Sequence, residues 1–322
     1  MKDADKKGLP GLARRLTEMG FAIKATRGTA ARIRDAGLEI GYTPENHIDV
    51  NRYVIHDHIC RVKSRPERWT EFVNDQCIIH GYAGYDTLTR FLPPEQFAVW
   101  FIREQLVESF RSGTLKDCGP DGKVLLMMEE YPGEWLTNTL LVTLQQSEQL
   151  TFLEYLEIAG LEIRRILDAL ASHDHRWNIE RVKVIINPNG ALLNGGSDGD
   201  NGQTGRKLVM DYYGPRVPLG GGALYGKDLT HIDRLGSNTA RQLCLELLQK
   251  TEPQECSPSE VFLSVCYAPG MAEPMDYRIQ SAVRPGQDLK HRLDFRQMRA
   301  GIDWNALDYG LGELGTFYHS GK

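Results

Sequence analysis

The sequence predicts an α+β fold in which mostly antiparallel sheets are backed by helices. Stretches with helical periodicity alternate irregularly with short apolar stretches typical of strands, without the strand–helix–strand regularity of parallel α/β proteins. The chain has 322 residues, of which 41% are hydrophobic and 25% charged. That length is enough for about two or three small domains with their own cores.

The amino-terminal third begins with a helix whose apolar face is Leu9, Leu12, Leu16 and Met19, and Gly20 ends it. A strand is predicted over residues 21–25, followed by a turn and a second helix that Gly37 ends. Pro94 suits the first position of a helix, and the apolar residues after it predict a largely buried helix to about Ser112.

The centre of the chain is predicted to hold two partner strands, residues 124–128 and 137–144, and then a long amphipathic helix. A strand over 182–186, an apolar strand over 208–213, a helix from about Asp233 to Lys250 and a strand over 261–267 complete the pattern. The apolar positions that define the long helix are Leu153, Leu156, Ile163, Ile166, Leu167 and Leu170.

Charge and cysteine content restrict the class of protein. The net charge of −5 argues against a general nucleic-acid binder, which would carry a basic surface. The six cysteines form no CxxC pair, so reduced thiols are expected. No signal peptide or membrane-length apolar segment is seen, and a soluble cytoplasmic protein is the expectation.

The most unusual chemistry lies in two glycine-rich turns, GDNGQTGRK over residues 199–207 and GGGALYGKD over 220–228. Glycine lets the backbone approach a ligand closely and present its N–H groups. Arg206, Lys207 and Lys227 end these turns, and cations beside such N–H groups favour a phosphate chain. Asp200, Asp211, Asp228 and Asp233 lie among them, and carboxylates beside phosphates indicate Mg²⁺.

Two other interpretations of these turns exist. The turns can be ordinary hairpin turns with surface charges. Residues 221–227 also match the spacing GxxxxGK, but Asp228 stands where a P-loop needs Ser or Thr, so a P-loop is rejected.

Two His-Asp-His triplets, residues 56–58 and 173–175, raise the possibility of a metal site. On a strand, both histidines of a triplet would share one face. No clear third and fourth ligands are found for either triplet, so metal binding there is the minor alternative.

The stretch NPNGALLNGGSDGDNGQTGRKLVMDYYGP, followed by GGGALYGKDLTHIDRLGSNT, resembles methionine adenosyltransferase (S-adenosylmethionine synthetase). The corresponding family signatures are NPTGxFVIGGPxGDxGLTGRKIIVDTYGG and HGGGAFSGKDPxKVDRSAAY. The resemblance extends to VNDQCIIHGYA (73–83), CGPDGK (118–123) and APGMAEP (268–274), which are similar to GAGDQGxMFGYA, RPDxKxQV and AIGVAEP.

This resemblance implies three similar sub-domains, here with a truncated first one: residues 1–69, 70–195 and 196–322. It also implies that ATP and methionine are substrates, that Mg²⁺ and K⁺ assist, and that the active site lies at the interface of a homodimer or higher homo-oligomer. Nucleic acid and membrane are not expected as partners.

Residue roles follow from the same resemblance. Arg206, Lys207 and Lys227 would grip phosphates, Lys123 would hold the phosphate side of the nucleotide, and His231 stands at a catalytic lysine position. The remaining roles belong to carboxylates: Asp233 would hold Mg²⁺, while Asp75, Asp121 and Asp200 would face the adenosine–methionine end.

Residues 2–40 resemble a second family, the methylglyoxal-synthase-like domain of carbamoyl-phosphate synthase large chains. The shared pattern is GFxIxATxGTAxxLxxAGI, in which the turn can hold an anion at a helix amino terminus. Since the resemblance stops near Ile40, a packing role without a ligand is favoured.

Three functional interpretations therefore remain. The family's EGHPDK motif is not found in this sequence, its two following glutamates have no counterpart, and His231 replaces a lysine. The chain is either a divergent methionine adenosyltransferase, a catalytically degenerate homologue or partner subunit that binds nucleotide or polyphosphate, or a structural remnant.

Overall fold

The chain forms two compact units in a computed structural model, and each is described separately. One contains residues 97–200, and the other contains residues 71–96 together with the described part of the chain after residue 204. The structure describes residues 71–200, 205–224, 227, 230–250, 259–282, 286 and 288–301. The predicted elements before residue 71, and the triplet at 56–58, lie outside these ranges.

The first unit is built on a long two-stranded ribbon. Strand β2 (Cys118–Tyr131) pairs antiparallel with β3 (Glu134–Gln146), and the short strands β4 (Trp177–Asn178) and β5 (Lys183–Ile186) pair parallel with β3. Both ribbon strands are longer than predicted. The ladder is irregular between Cys118 and Gly122, where β2 bulges away from β3.

Two helices flank the β2–β3 ribbon in the sequence. Helix α1 (Pro94–Arg111) starts at the predicted proline, with Glu95 in its first turn and Arg111 in its last, as the helix dipole favours. Helix α2 (Phe152–His173) begins with a capping box formed by Thr151 and Glu154 and packs against β4 and β5.

The buried face of α2 differs from the prediction at its amino end. Leu153 is 78% exposed, and Tyr155 instead begins the buried row. The capping box sets the first turn so that residue 155 points at the sheet and residue 153 at solvent. Ile163, Ile166, Leu167 and Leu170 are buried as predicted.

In its described residues, the second unit contains a three-stranded antiparallel sheet that a long helix covers. Strand β1 (Cys77–Gly84) pairs with β6 (Glu260–Tyr267), which pairs with β7 (Asp276–Gln280). Three helices lie in the described residues between 196 and 250. The one-turn helix α3 (Gly196–Gly199) belongs to the first unit. The one-turn helix α4 (Leu208–Asp211) and the long helix α5 (Ile232–Gln249) belong to the second. Helices α6 (Leu289–Arg292) and α7 (Phe295–Ala300) follow β7.

Helix α5 lies very close to β1 because each element contributes a glycine to the contact. A Cβ on Gly81 would lie 2.5 Å from the Ala240 carbonyl oxygen, and one on Gly236 would lie 2.2 Å from the Ile79 Cδ1. At Gly81 the two backbones approach each other directly, whereas at Gly236 the Ile79 side chain packs onto the helix surface. The amino terminus of α5 is thereby placed beside the start of β1.

The predicted strand over 208–213 is wrong. Residues 208–211 form α4, whose amides at Met210 and Asp211 donate to the Lys207 carbonyl at 2.9 and 3.2 Å. Gly214, at φ 81°, ends the turn and donates to the Val209 carbonyl. Two apolar residues of the segment, Val209 and Met210, are exposed, so its apolar composition did not report burial in a sheet.

The triplet at 173–175 does not lie on a strand. His173 is the last residue of α2, and Asp174, buried to 2% exposure, accepts hydrogen bonds from the Arg176 guanidinium at 2.6–3.0 Å. Burial opposes ionisation of Asp174, but the contacts from Arg176 prevail and hold its pKa below the usual value. The carboxylate therefore serves as an ion-pair partner.

The described residues contain neither a candidate membrane-spanning helix nor a candidate metal cluster. Among them, no helix is both long and apolar enough to cross a membrane. Nor do any three His, Cys, Asp or Glu side chains in the described ranges come together as a metal site.

Candidate functional site

The end of the first glycine-rich turn, from Gly205, meets the second turn in the second unit. A Cβ on Gly205, which has a φ of 81°, would lie 3.3 Å from the Cβ of Ala223. The end of the first turn therefore touches the middle of the second. Arg206 and Lys207, which follow Gly205, are exposed, and the Lys207 carbonyl caps α4.

Lys227, in the second turn, forms a short ion pair with Asp233 in the first turn of α5. The Asp233 side chain is only 5% exposed, whereas that of Lys227 is 29% exposed. A carboxylate in the first turn is favoured by the helix dipole. The structure thus joins a predicted phosphate ligand and the predicted Mg²⁺ ligand in one contact.

His231 is the N-cap of α5. Its Nδ1 accepts a hydrogen bond from the Asp233 amide at 3.1 Å and lies 3.5 Å from Asp233 Oδ2. Accepting at Nδ1 requires a lone pair there, which a doubly protonated imidazole lacks. In this geometry Nδ1 of His231 is the acceptor that caps the helix, a role that a lysine, which has only donors, cannot take.

The backbone of the second turn wraps around the Asp233 carboxyl group. A Cβ on Gly222 would lie 2.3 Å from both Cγ and Oδ1 of Asp233. Tyr212 donates a hydrogen bond to the Gly222 carbonyl at 2.8 Å, and Arg234 donates to the Lys227 carbonyl at 2.7 Å. Two side chains thus fix the turn against the start of α5.

Cys77 and Tyr212 lie beside this ion pair and were not predicted. Burial, with the nearby Asp233 charge adding to it, raises the pKa of each group to about 12. Both side chains stay neutral, and a protonated thiol is not a nucleophile. The sequence signal available for Cys77 was its position two residues after Asp75.

Asp75 is exposed just before β1, and its charge also raises the pKa of Cys77. It therefore lies near the same cluster as Asp233 and Lys227, although no direct contact joins them. Asp211, in α4, is different because burial alone raises its pKa to about 6. It is half-buried and has no assigned role.

The other predicted residues form a second cluster, in the first unit. Lys123 Nζ lies 3.8 Å from Asp200 Oδ2, and both side chains are 78% exposed. Asp121 accepts a hydrogen bond from the Gly196 amide at 3.0 Å. The structure groups Asp121, Lys123 and Asp200 in one unit and Asp75, Arg206, Lys207, Lys227, His231 and Asp233 in the other.

Known proteins are similar to the part of the chain that holds the glycine-rich turns. The family model described as "S-adenosylmethionine synthetase, C-terminal domain" matches residues 194–293. The chain is 30% identical over 280 residues to the S-adenosylmethionine synthase of Ruegeria sp. strain TM1040, covering 81% of this chain and 68% of that protein. The chain belongs to the S-adenosylmethionine synthase family.

A second S-adenosylmethionine synthase is also similar to this chain. The S-adenosylmethionine synthase of Paracoccus denitrificans is 33% identical over 259 residues, which are 80% of this chain. This chain spans 62% of the length of that relative.

A solved structure titled as an unusual S-adenosylmethionine synthetase from Campylobacter jejuni aligns with a TM-score of 0.70 at 19% identity. The alignment covers 93% of this chain and 80% of that one. It supports the fold alone, and it confirms the predicted S-adenosylmethionine synthetase-like α+β class.

Proposed function

We propose that the chain is a divergent methionine adenosyltransferase that forms S-adenosylmethionine from ATP and methionine. The observation that carries this proposal is the paired Lys227 and Asp233 at the start of α5, enclosed by a glycine turn. Family membership and the match over residues 194–293 support it.

The proposed reaction requires neither a nucleophile nor a base from the protein. The methionine sulfur forms a bond to the ribose carbon, and the carbon–oxygen bond to the triphosphate breaks with its electron pair. No proton is transferred at carbon, so the work is alignment of the reactants and stabilisation of charge on the leaving chain. Arg206, Lys207, Lys227 and Lys123 are proposed to supply that stabilisation, as phosphate ligands.

The residues present fit a Mg²⁺–triphosphate ligand. Asp233 offers one carboxylate, and Mg²⁺ in nucleotide sites commonly takes one or two carboxylates with phosphate oxygens completing its shell. When bound, the ion would neutralise charge on the departing triphosphate. On binding, Asp233 would pair with Mg²⁺ and Lys227 with the triphosphate. Neither side chain would then be left buried without an opposite charge.

Other parts of the proposal rest on the family resemblance. Asp75, Asp121 and Asp200 are proposed to face the adenosine–methionine end, and the protein is proposed to be a cytoplasmic homodimer or higher homo-oligomer. The described residues identify no K⁺ ligands. The sub-domain boundaries at residues 69 and 195 stay predictions. The two compact units are a different division of the chain.

A second candidate function, nucleotide or polyphosphate binding without turnover, is favoured by one observation. His231 caps α5 through Nδ1, so this position adds no fixed positive charge beside Lys227. Removing one transition-state contact costs about 100- to 1000-fold in rate in well-studied enzymes. Binding can survive such a loss more easily than turnover.

The test is incubation of the purified protein with ATP, methionine, Mg²⁺ and K⁺, followed by detection of S-adenosylmethionine and triphosphate-derived phosphate. The proposed enzyme forms product, and Lys227→Ala lowers the rate by about 100-fold or more. If no product forms but ATP raises the thermal midpoint in the wild type and not in Lys227→Ala, the binding function replaces the enzymatic one. If ATP has no effect on either protein, both functions are wrong.

A further inference from the structure

The bulge in β2 lies opposite one buried amide side chain. Cys118 pairs with Gln146 and Gly122 with Leu144, so residues 119–121 face the single residue Gln145. Gln145 is fully buried. A bulge of this kind leaves its extra residues without partners in the ladder.

The Gln145 side chain lies against two chain segments. Its Nε2 donates to the Leu193 carbonyl at 3.0 Å. The backbone amide of Gln146 donates to the Leu192 carbonyl at 2.9 Å, which places residue 145 beside Leu192 in parallel register. A Cβ on Gly119 would lie 2.2 Å from Gln145 Oε1, and one on Gly195 would lie 2.5 Å from it. Both glycines are required because their backbones press on the same amide.

The two segments that meet at Gln145 carry all three predicted residues of the first unit. Asp121 lies in the bulge, and its carboxylate holds the Gly196 amide at 3.0 Å. Lys123 follows the bulge, and Asp200 follows α3. The Lys123–Asp200 contact is exposed and 3.8 Å long, so it contributes little to its own geometry.

We propose that Gln145 is a positioning residue, which holds the bulge at 119–121 against the segment 192–200 so that Asp121, Lys123 and Asp200 keep one arrangement. The amide acts through the backbone and does not touch the substrate. Its kinetic consequence rests on the proposed function, whereas its structural consequence does not.

The chain offers a matched control next to Gln145. Gln146 is equally buried, at 3% exposure, but its Nε2 donates to the Leu150 carbonyl at 3.3 Å. Successive residues of a strand point to opposite faces. Gln145→Met and Gln146→Met therefore each remove one buried side-chain amide at similar volume, and both keep the backbone bond from Gln146 to Leu192. The lost side-chain bond goes to Leu193 in the first variant and to Leu150 in the second.

The experiment is amide hydrogen exchange on the full-length wild type and both variants without ligand. We expect Gln145→Met to speed exchange by about tenfold in peptides covering 192–200 and 119–123, because a buried hydrogen bond is lost. Gln146→Met should leave those peptides unchanged. Equal exchange in the two variants overturns the proposal.

A second variant keeps the test decisive if Gln145→Met does not fold. Gly195→Ala places a methyl group against the Gln145 amide and 2.9 Å from Asp121 Cβ. Exchange must then rise in peptides covering 119–123, on the opposite segment. A rise confined to 192–200 overturns the proposal.

Kinetics separate this inference from the proposed function. If the protein is an active enzyme, Gln145→Met raises KM by about tenfold with a smaller change in kcat. In the Gln145→Met background, Asp121→Asn then changes KM by less than it does in the wild type. Full additivity contradicts positioning through Asp121. A wild type without turnover refutes the enzymatic function, while the exchange result still decides the role of Gln145.

Discussion

The two ion pairs of the candidate sites differ in how the protein holds them. Lys227 and Asp233 pair beside a helix amino terminus, and Asp233 is almost fully buried. Lys123 and Asp200 pair on the surface at 3.8 Å with most of each side chain in solvent. The first pair is organised before any ligand arrives, whereas the second depends on the backbone beneath it.

This difference follows from solvation. A buried carboxylate must have a partner, since an unpaired one costs several kcal/mol, so Asp233, Lys227 and the surrounding turn constrain one another. An exposed pair contributes about 0–1 kcal/mol, and water replaces either partner cheaply. Preorganised charge therefore resides in the second unit, and adaptable charge in the first.

The largest expected effect comes from removing the carboxylate of each pair. Asp233→Asn leaves Lys227 without its anion and should lower the free energy of unfolding by about 1–3 kcal/mol, with loss of about 100-fold or more in S-adenosylmethionine formation. Asp200→Asn should change stability by no more than about 0.5 kcal/mol. Urea denaturation and initial rates measure both. Equal destabilisation by the two variants contradicts the comparison.

The next effect concerns the turn that encloses Asp233. Gly222→Ala would place a methyl group against the Asp233 carboxyl and should cost about 1–3 kcal/mol through displacement of the turn. Gly221→Ala is the matched control, because a Cβ there meets nothing within 4 Å. Thermal unfolding of the two single variants measures the difference. Similar midpoints would show that the turn does not depend on its contact with Asp233.

The smallest effect is a pH dependence in α4. Burial raises the pKa of Asp211 to about 6, so the folded protein holds this proton more tightly than the unfolded chain, whose carboxyl has a pKa of about 4. Stability from this group is therefore full below about pH 4 and falls as pH rises towards about 6. Asp211→Asn should remove this decline and stabilise the protein at pH 7 by about 1 kcal/mol.

Denaturant titrations of the wild type and Asp211→Asn at several pH values between about 4 and 7 measure this effect. A stability difference between the two proteins that does not change with pH would show that the carboxyl is not strained by burial. The exposed Asp200→Asn variant serves as the control, since no such decline is expected for a solvated group.

Much of the fold was predictable because local signals agreed with it. Pro94 began α1, the ribbon strands paired antiparallel, and α5 occupied its predicted place. The prediction was wrong at residues 208–213 because apolar composition does not separate a strand from a one-turn helix beside a glycine. It was also wrong at Leu153, where the cap sets the rotation of the helix.

The sites were less predictable than the fold. The glycine-rich turns and their cations were visible in the sequence, but roles for Cys77, Tyr212 and Gln145 were not, since their residue types alone indicate no site. Each matters through a neighbour distant in the chain: Asp233 for Cys77, Gly222 for Tyr212, and Leu193 for Gln145. Such neighbours depend on packing, which a local pattern does not report.

By itself, the sequence determined the family, the α+β class and the residues that carry charge at the glycine-rich turns, because these properties reside in short contiguous patterns. Only the tertiary structure decided which charges are buried, that His231 caps a helix, and that one amide supports the bulge in β2. The physical reason is that desolvation and close backbone approach, as between Gly81 and Ala240, arise only when distant segments pack together.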